Sequence, residues 1–384
     1  MDNQVIDKIR TKIETIMTGS EKTRFFSVGS LLFALSLCYG CAVRLRENCY
    51  KKGLLRSKKL PCKIISIGNI TVGGTGKTPM TIKVAEIVKR LGYKVAVISR
   101  GYKGRLEKTG GIVSNGKTVL MGPDKAGDEP FMIASTLKDI PVVVWQNRFE
   151  AGCLTMDEFD PDVIVLDDAF QRLRLKRDID LVLLDCRHPF GNNHLLPRGT
   201  LREPVSALLR GDAFIITRSN YAGDAIIATF TDKLRKLTRG KPVFRSCHIP
   251  NVYKAAKEKK RSIRGSLQDI LPCNPEYLKE RKVFAFSGLA GNSDFRLTIE
   301  NLGCDLIDFL EFPDHHNYSD TDLNRIYKTY LESKADFLLT TEKDYVRIAN
   351  RITWPIDLVV VNIKVSFGDD DEAFNAFIEK RLRG

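Results

Sequence analysis

At 384 residues, with 43% hydrophobic and 28% charged side chains, the chain has the apolar material for sizeable cores, so it is read as globular and, at ~150 residues per domain, as two or three domains. Nine cysteines, scattered singly apart from Cys38 and Cys41, give neither a disulfide framework nor zinc spacing, and a reduced compartment is expected. The net charge of +14 admits a nucleic-acid binder, but the basic residues concentrate beside an apolar segment, which suits an anionic membrane surface better.

In chain order, residues 1 to 24 place Val5, Ile6, Ile9, Ile13, Ile16 and Met17 at the spacing of an amphipathic helix. Phe25 to Val43 contains no charged residue. As a helix it would measure about 28 Å, just short of the ~30 Å hydrocarbon core. A spanning helix, a helix lying in the interface and a core helix all remain open. Arg44, Arg46, Lys51, Lys52, Arg56, Lys58 and Lys59 follow, against the single acid Glu47. If the helix spans, this basic flank keeps the rest of the chain in the cytoplasm.

Lys63 to Pro79, KIISIGNITVGGTGKTP, reads as a buried strand, a glycine turn and the start of a helix. That is the context a phosphate-binding loop requires. Thr71, Val72, Gly73, Gly74, Thr75, Gly76, Lys77 and Thr78 form the candidate nucleotide site. The strict pattern would put glycine where Thr71 stands. Glycines let backbone N–H groups turn onto an anion, and the helix N-terminus adds partial positive charge. Lys77 can neutralise the β and γ phosphates, Thr78 can offer its hydroxyl to Mg²⁺, and Pro79 is tolerated in the first helical turn.

Strands are expected at Lys94–Ser99, Pro141–Trp145, Val163–Leu166, Ile179–Leu184 and Phe214–Thr217, and a hairpin around Asn115-Gly116. Helices are expected after Gly127 and near Arg148. Near-continuous apolar strands alternating with helices predict an α/β protein with a P-loop-type parallel sheet covered by helices. From about Val283 a second, smaller α/β domain is expected. The predicted organisation is residues 1–60 as a membrane-associated helical segment with its basic cluster, 61–250 as the nucleotide-binding core, 251–281 as a connector, and 282–384 as the smaller domain.

Asp167 and Asp168 close an apolar strand after the loop, where a carboxylate should meet Mg²⁺ directly or through water. Asp128 and Glu129 open a helix and would by themselves read as its cap. Of five histidines, His315 and His316 are adjacent in the polar run FPDHHNY. No further ligand sits at zinc spacing, so a proton handler or phosphate contact is expected there. No Asn-Lys-x-Asp base-reading motif supports a GTPase switch. An anion-binding module without chemistry would leave the Asp167-Asp168 pair and the histidine loop unexplained.

Taken together, ISIGNITVGGTGKTP, SRGY at 99–102, GDEP at 127–130, DDAFQ at 167–171, LLPRGTLREP at 195–204, FPDHHNY at 312–318 and TTEKD at 340–344 resemble the tetraacyldisaccharide 4′-kinases of lipid A biosynthesis, over about residues 31–343. Ala169, Arg172 and Arg198-Gly199-Thr200 depart from the family's usual glycine, histidine and Ala-Gly-Pro. The resemblance implies ATP-dependent phosphorylation, with Mg²⁺, of the 4′-hydroxyl of an acylated glucosamine disaccharide 1-phosphate. It implies a monomer at the cytoplasmic face of the bacterial inner membrane, without nucleic acid as a partner. It also implies that Asp128, paired with His315, is the catalytic base, and that Glu129, Arg148, Gln171, Arg202 and Glu203 serve the lipid acceptor.

Overall fold

The computed structural model of the chain describes residues 15–17, 19, 27–255, 270–349, 351 and 356–384. The amphipathic helix expected over residues 1–24 therefore lies almost wholly outside the described residues. The chain divides into two compact units. One comprises Met1–Lys77, Leu166–Cys247 and Phe367–Gly384, the other Thr78–Val165 and His248–Ser366.

In the first unit the strand Lys63–Asn69 pairs in parallel with Ile179–Asp185. That strand pairs in turn with Ala213–Thr217, and the last with Val243–Arg245, all in parallel. Their residues are apolar almost without alternation because both faces of the sheet are covered. Phe170, Val182, Leu184, Leu208, Phe214, Ile216, Ile227 and Leu234 form one core beside this sheet. Helix Asp371–Arg383 joins the unit through Phe374, which stacks on Phe367 and meets Phe244 edge-on.

The uncharged run forms the helix Val28–Lys51, started by a reciprocal Ser27–Ser30 capping box. It is long and apolar enough to cross a membrane, but it is not a core helix. Gly29, Leu32, Ser36, Gly40, Val43 and Glu47 are buried, whereas Leu31, Phe33, Leu35, Leu37 and Leu45 face outward. The inner stripe is small because the packing is close. A Cβ at Gly40 would sit 2.7 Å from Leu195 Cδ1. Tyr39 donates its hydroxyl to the Arg202 carbonyl at 2.8 Å, and Glu47 pairs with Arg210 at 3.3 Å.

In the second unit Val95–Ser99 pairs in parallel with Val142–Val144. Gly111–Ser114 runs antiparallel to Val142–Val144, an antiparallel edge on the otherwise parallel pairing expected here. The hairpin expected around Asn115-Gly116 is also present: Asn115 Oδ1 accepts from the Lys117 and Thr118 amides, and the chain folds back so that Ser114 bridges Val119. A six-stranded sheet follows the order Leu271–Cys273, Cys247–Ala255, Leu358–Ser366, Phe337–Thr341, Lys282–Ser287, Asp305–Glu311. The region expected as a connector thus carries strands at both its ends, Leu271–Cys273 lying antiparallel to Cys247–Ala255. Cys247–Ala255 is half-exposed and broken by polar residues, and Leu271–Cys273 is only three residues long, so neither offers an apolar run to read. Residues 256–269 lie outside the described residues. Helix Glu342–Ile348 leaves the strand Phe337–Thr341 and packs against helix Asp128–Thr136, with Tyr345, Val346 and Ile348 buried.

Candidate active site

The phosphate loop is braced from beneath. Gly68 lies so close to the segment after Asp168 that a Cβ there would stand 2.5 Å from Phe170 Cβ. Ala169 N–H donates to the Ile67 carbonyl at 3.0 Å, and Gln171 Nε2 donates to the Asn69 carbonyl at 2.7 Å. Asn69 Nδ2 donates to Thr75 Oγ1 at 2.9 Å. Val72 N–H is taken by the Thr200 carbonyl at 2.7 Å. From another side Arg218 donates to the Gly74 carbonyl at 2.6 Å and is itself paired with Asp185. Burial opposes ionisation of Asp185, but hydrogen bonds and charge from Arg187 and Arg218 outweigh it and lower its pKa.

Gly73 and Gly76 have φ of 108° and 80°, a region closed to most side chains. Gly73 and Gly74 are exposed, and a Cβ on either would meet only open space. The constraint at Gly73 is therefore conformational, and the loop presents bare backbone outward. Lys77 and Thr78 begin the helix Lys77–Arg90. A polyphosphate fits this cradle: free backbone, a helix N-terminus and one ammonium.

The adjacent carboxylates differ. Asp167 is buried at 2% exposure. Asp168 has a left-handed φ of 47° and turns its carboxylate to Arg202, which donates to both oxygens at 3.0 Å. Lys77 Nζ stands 3.8 Å away. Among the described residues no group of three His, Cys, Asp or Glu could by itself hold a metal. The residues present fit a metal that takes its remaining ligands from phosphate and water.

The residues expected to serve the acceptor separate into two sets. Arg202 and Gln171 are partly exposed. Glu203 is 1% exposed and clasped by Arg210 at 2.6 Å, with Gln171 Nε2 at 3.3 Å and Arg46 at 3.7 Å. Arg148 is 3% exposed and donates to the Trp145 carbonyl at 2.8 Å. Glu203 and Arg148 thus brace the surrounding chain and do not face solvent. Glu129 is half-buried beside Asp128.

In the second unit, Gly127 at φ 88° delivers Asp128 to the first position of its helix. Asp128 Oδ2 lies 2.9 Å from His315 Nδ1, although 187 positions separate the two residues. The same oxygen accepts from Arg347 Nη2. His315 Nε2 lies 3.2 Å from Lys343 Nζ, which donates to Asp314 Oδ1 at 2.9 Å. The Tyr102 ring meets the His315 ring edge-on at 5.6 Å. Burial works against the Asp128 anion, but hydrogen bonds from His315 and Arg347 and the arginine charge prevail, and the pKa is lowered. Asp128 Oδ1 accepts no hydrogen bond from the described residues, so this carboxylate has one oxygen free to take a proton.

Asp344 of the TTEKD run is a bracket. It accepts from the Tyr318 hydroxyl at 2.9 Å, the Gly288 amide at 3.1 Å and the Thr341 hydroxyl at 2.6 Å. Burial raises its pKa against the pull of those donors. It ties the histidine loop to the helix carrying Lys343 and Arg347. Reading from the sequence did not single out Lys343, Arg347, Tyr102 or Arg218. Lys343 and Tyr102 lay inside motifs already noted, and Arg347 lies one helical turn after Lys343. Arg218 had no local signal.

The sequence profile described as tetraacyldisaccharide-1-P 4′-kinase matches residues 28–383. A tetraacyldisaccharide 4′-kinase of Desulfatibacillum aliphaticivorans is 39% identical over 384 residues, covering 98% of this chain and 99% of that one. One of Syntrophus aciditrophicus is 40% identical over 343 residues, covering 87% and 89%. The crystal structure of LpxK from Aquifex aeolicus, in complex with ATP, is 30% identical. It superposes with a TM-score of 0.71 over 93% of this chain and 100% of that chain.

Proposed function

This chain belongs to the tetraacyldisaccharide-1-P 4′-kinase family, and on that footing we propose that it transfers the γ-phosphoryl group of ATP to the 4′-hydroxyl of a tetraacylated glucosamine disaccharide 1-phosphate, in lipid A biosynthesis. The observation that carries the reading is the open Gly73–Thr78 cradle, with Lys77 at its end, in a chain that matches the family along nearly its whole length.

Lys77 and the loop amides hold the β and γ phosphates. Thr78 and Asp167 would hold Mg²⁺, which when bound spreads the phosphate charge, with Asp168 kept beside them by Arg202. Asp128 takes the proton of the acceptor hydroxyl, and His315 orients it. Gln171, Arg202 and Glu129 contact the acceptor, and Arg148 and Glu203, each buried within its own unit, hold the chain there in shape. The outward leucines of Val28–Lys51 and the basic run after Arg44 fit an anionic membrane surface. We place the enzyme there as a monomer, on the cytoplasmic side of the inner membrane.

The deciding assay is ATP turnover with and without the acylated disaccharide 1-phosphate. Turnover that depends on the acceptor and yields a doubly phosphorylated lipid supports the reading. Equal ATP hydrolysis without acceptor overturns it.

A further inference from the structure

The two nitrogens of His315 face different partners, and the partners fix where its proton lies. Nε2 is 3.2 Å from Lys343 Nζ. An ammonium has three donors and no acceptor, so Nε2 must accept. With Nε2 accepting, the ring proton sits on Nδ1 and is donated to Asp128 Oδ2 at 2.9 Å. Arg347 Nη2 lies 2.9 Å from Nδ1 but also has only donors, so its N–H serves Asp128 Oδ2 instead. The competing arrangement, with a proton on Nε2 given to Asp314, fails on distance, because Asp314 Oδ2 is 3.8 Å away. Asp314 instead holds Lys343 in place at 2.9 Å. The neighbouring acids are engaged elsewhere, Glu342 with Asn362 and Asp344 with Tyr318 and Thr341. Tyr102 presents only its ring to the imidazole.

We propose that Lys343 is a positioning residue for phosphoryl transfer: by donating to Nε2 it locks His315 as the Nδ1–H tautomer, which commits both imidazole nitrogens and leaves Asp128 Oδ1 as the atom that takes the acceptor's proton. The proposal rests on the reading of Asp128 as the base. As the acceptor oxygen bonds to the γ phosphorus, the bond from that phosphorus to the ADP oxygen breaks and its electron pair leaves with ADP. The O–H pair stays on the acceptor oxygen, and its proton passes to Oδ1. Arg347 keeps Oδ2 occupied, so the carboxylate cannot turn its free oxygen away.

The test uses the full chain labelled with ¹⁵N-histidine, His315 being assigned by its loss in His315→Gln. The five histidines keep the spectrum simple. In the unsubstituted protein His315 should show the shift pattern of an Nδ1–H ring. Lys343→Met should lose that single tautomer and roughly 10- to 100-fold in kcat. KM for ATP and acceptor should stay within about twofold, since only orientation is lost. Lys343→Arg, which keeps a donor, should restore the tautomer and most of kcat. An Nε2–H ring in the unsubstituted protein, or a Lys343→Met variant with unchanged tautomer and kcat, overturns the proposal. If the tautomer behaves as stated but Asp128→Asn turns over normally, the reading of Asp128 as base falls and the proton's destination with it.

Discussion

Arg202 grips both oxygens of Asp168 at 3.0 Å, and Lys77 waits 3.8 Å from the same carboxylate. The arginine therefore keeps the anion from capturing the lysine that the phosphates need. Arg202→Met should let Lys77 close onto Asp168. KM for ATP should rise and kcat/KM should fall about tenfold, or ~1.4 kcal/mol. Adding Asp168→Asn should recover part of the loss. An unchanged KM for ATP in the single variant would show that Arg202 does not guard the lysine.

Among the described residues the Lys77 ammonium pairs with Asp168 alone, at 3.8 Å, so it contributes little to folding. Lys77→Ala should melt within a degree or two of the parent yet lose ~10²–10³-fold or more in kcat, the scale for deleting one electrostatic donor to developing charge. Near-normal turnover would rule out the loop as the phosphate site.

For Asp128 and His315 the expectation is non-additivity. Asp128→Asn should fold, bind ATP and lose at least ~10²-fold in kcat. His315→Ala should lose activity too, with the double variant little worse than the worse single one. The carboxylate's pKa is lowered below its ordinary 3.8. Its contribution to stability is thus present above that value and lost as pH falls through the lower, folded one. Any acid limb in the rate that Asp128 causes must therefore lie below pH 4. Fully additive losses would mean the two residues act apart.

Glu342 is buried, takes one hydrogen bond from Asn362, and is pushed by burial to about 8 from an ordinary 4.5. Here the folded state binds the proton more tightly than the unfolded one. Stability is accordingly highest below the unfolded pKa and declines as pH rises toward 8. Glu342→Gln should be neutral at pH 5 and raise the melting temperature progressively toward pH 8, by a few degrees. A melting difference that ignores pH would mean the carboxyl is ionised in the fold.

Flotation with anionic liposomes tests the apolar helix. Leu31 and Leu35 are 62% and 47% exposed. The double variant Leu31→Glu, Leu35→Glu should stay with the soluble fraction while turning over detergent-dispersed acceptor normally. High salt should release the parent protein, because screening weakens the contribution of the basic run. Flotation unaffected by either change would point to a different docking face.

Much of this was legible from residue order. Ile64, Ile65 and Ile67 announced a doubly covered strand, and Gly-Lys-Thr after it announced a helix N-terminus at a phosphate loop. Those signals are local, arising from burial period and backbone freedom. Arg218 was invisible because its grip on Gly74 joins residues 144 positions apart and belongs to no motif. The burial of Glu203 was equally hidden: nothing in Arg-Glu-Pro says that Arg210 and Gln171 will close around it. The Cys247–Ala255 strand was missed because Pro250, Asn251 and Lys254 leave it without an apolar run.

Tyr39 points inward from the apolar helix to the Arg202 carbonyl, and the Arg202 side chain continues to Asp168 beside Lys77. Helix, tyrosine, arginine and carboxylate make a strut with two hydrogen-bonded joints. Each joint is a single short contact, so a displacement of the helix is passed on to the carboxylate beside the phosphate loop. On the proposed membrane docking, this linkage is what would relate the depth of the helix in the surface to the position of Asp168 beside Lys77.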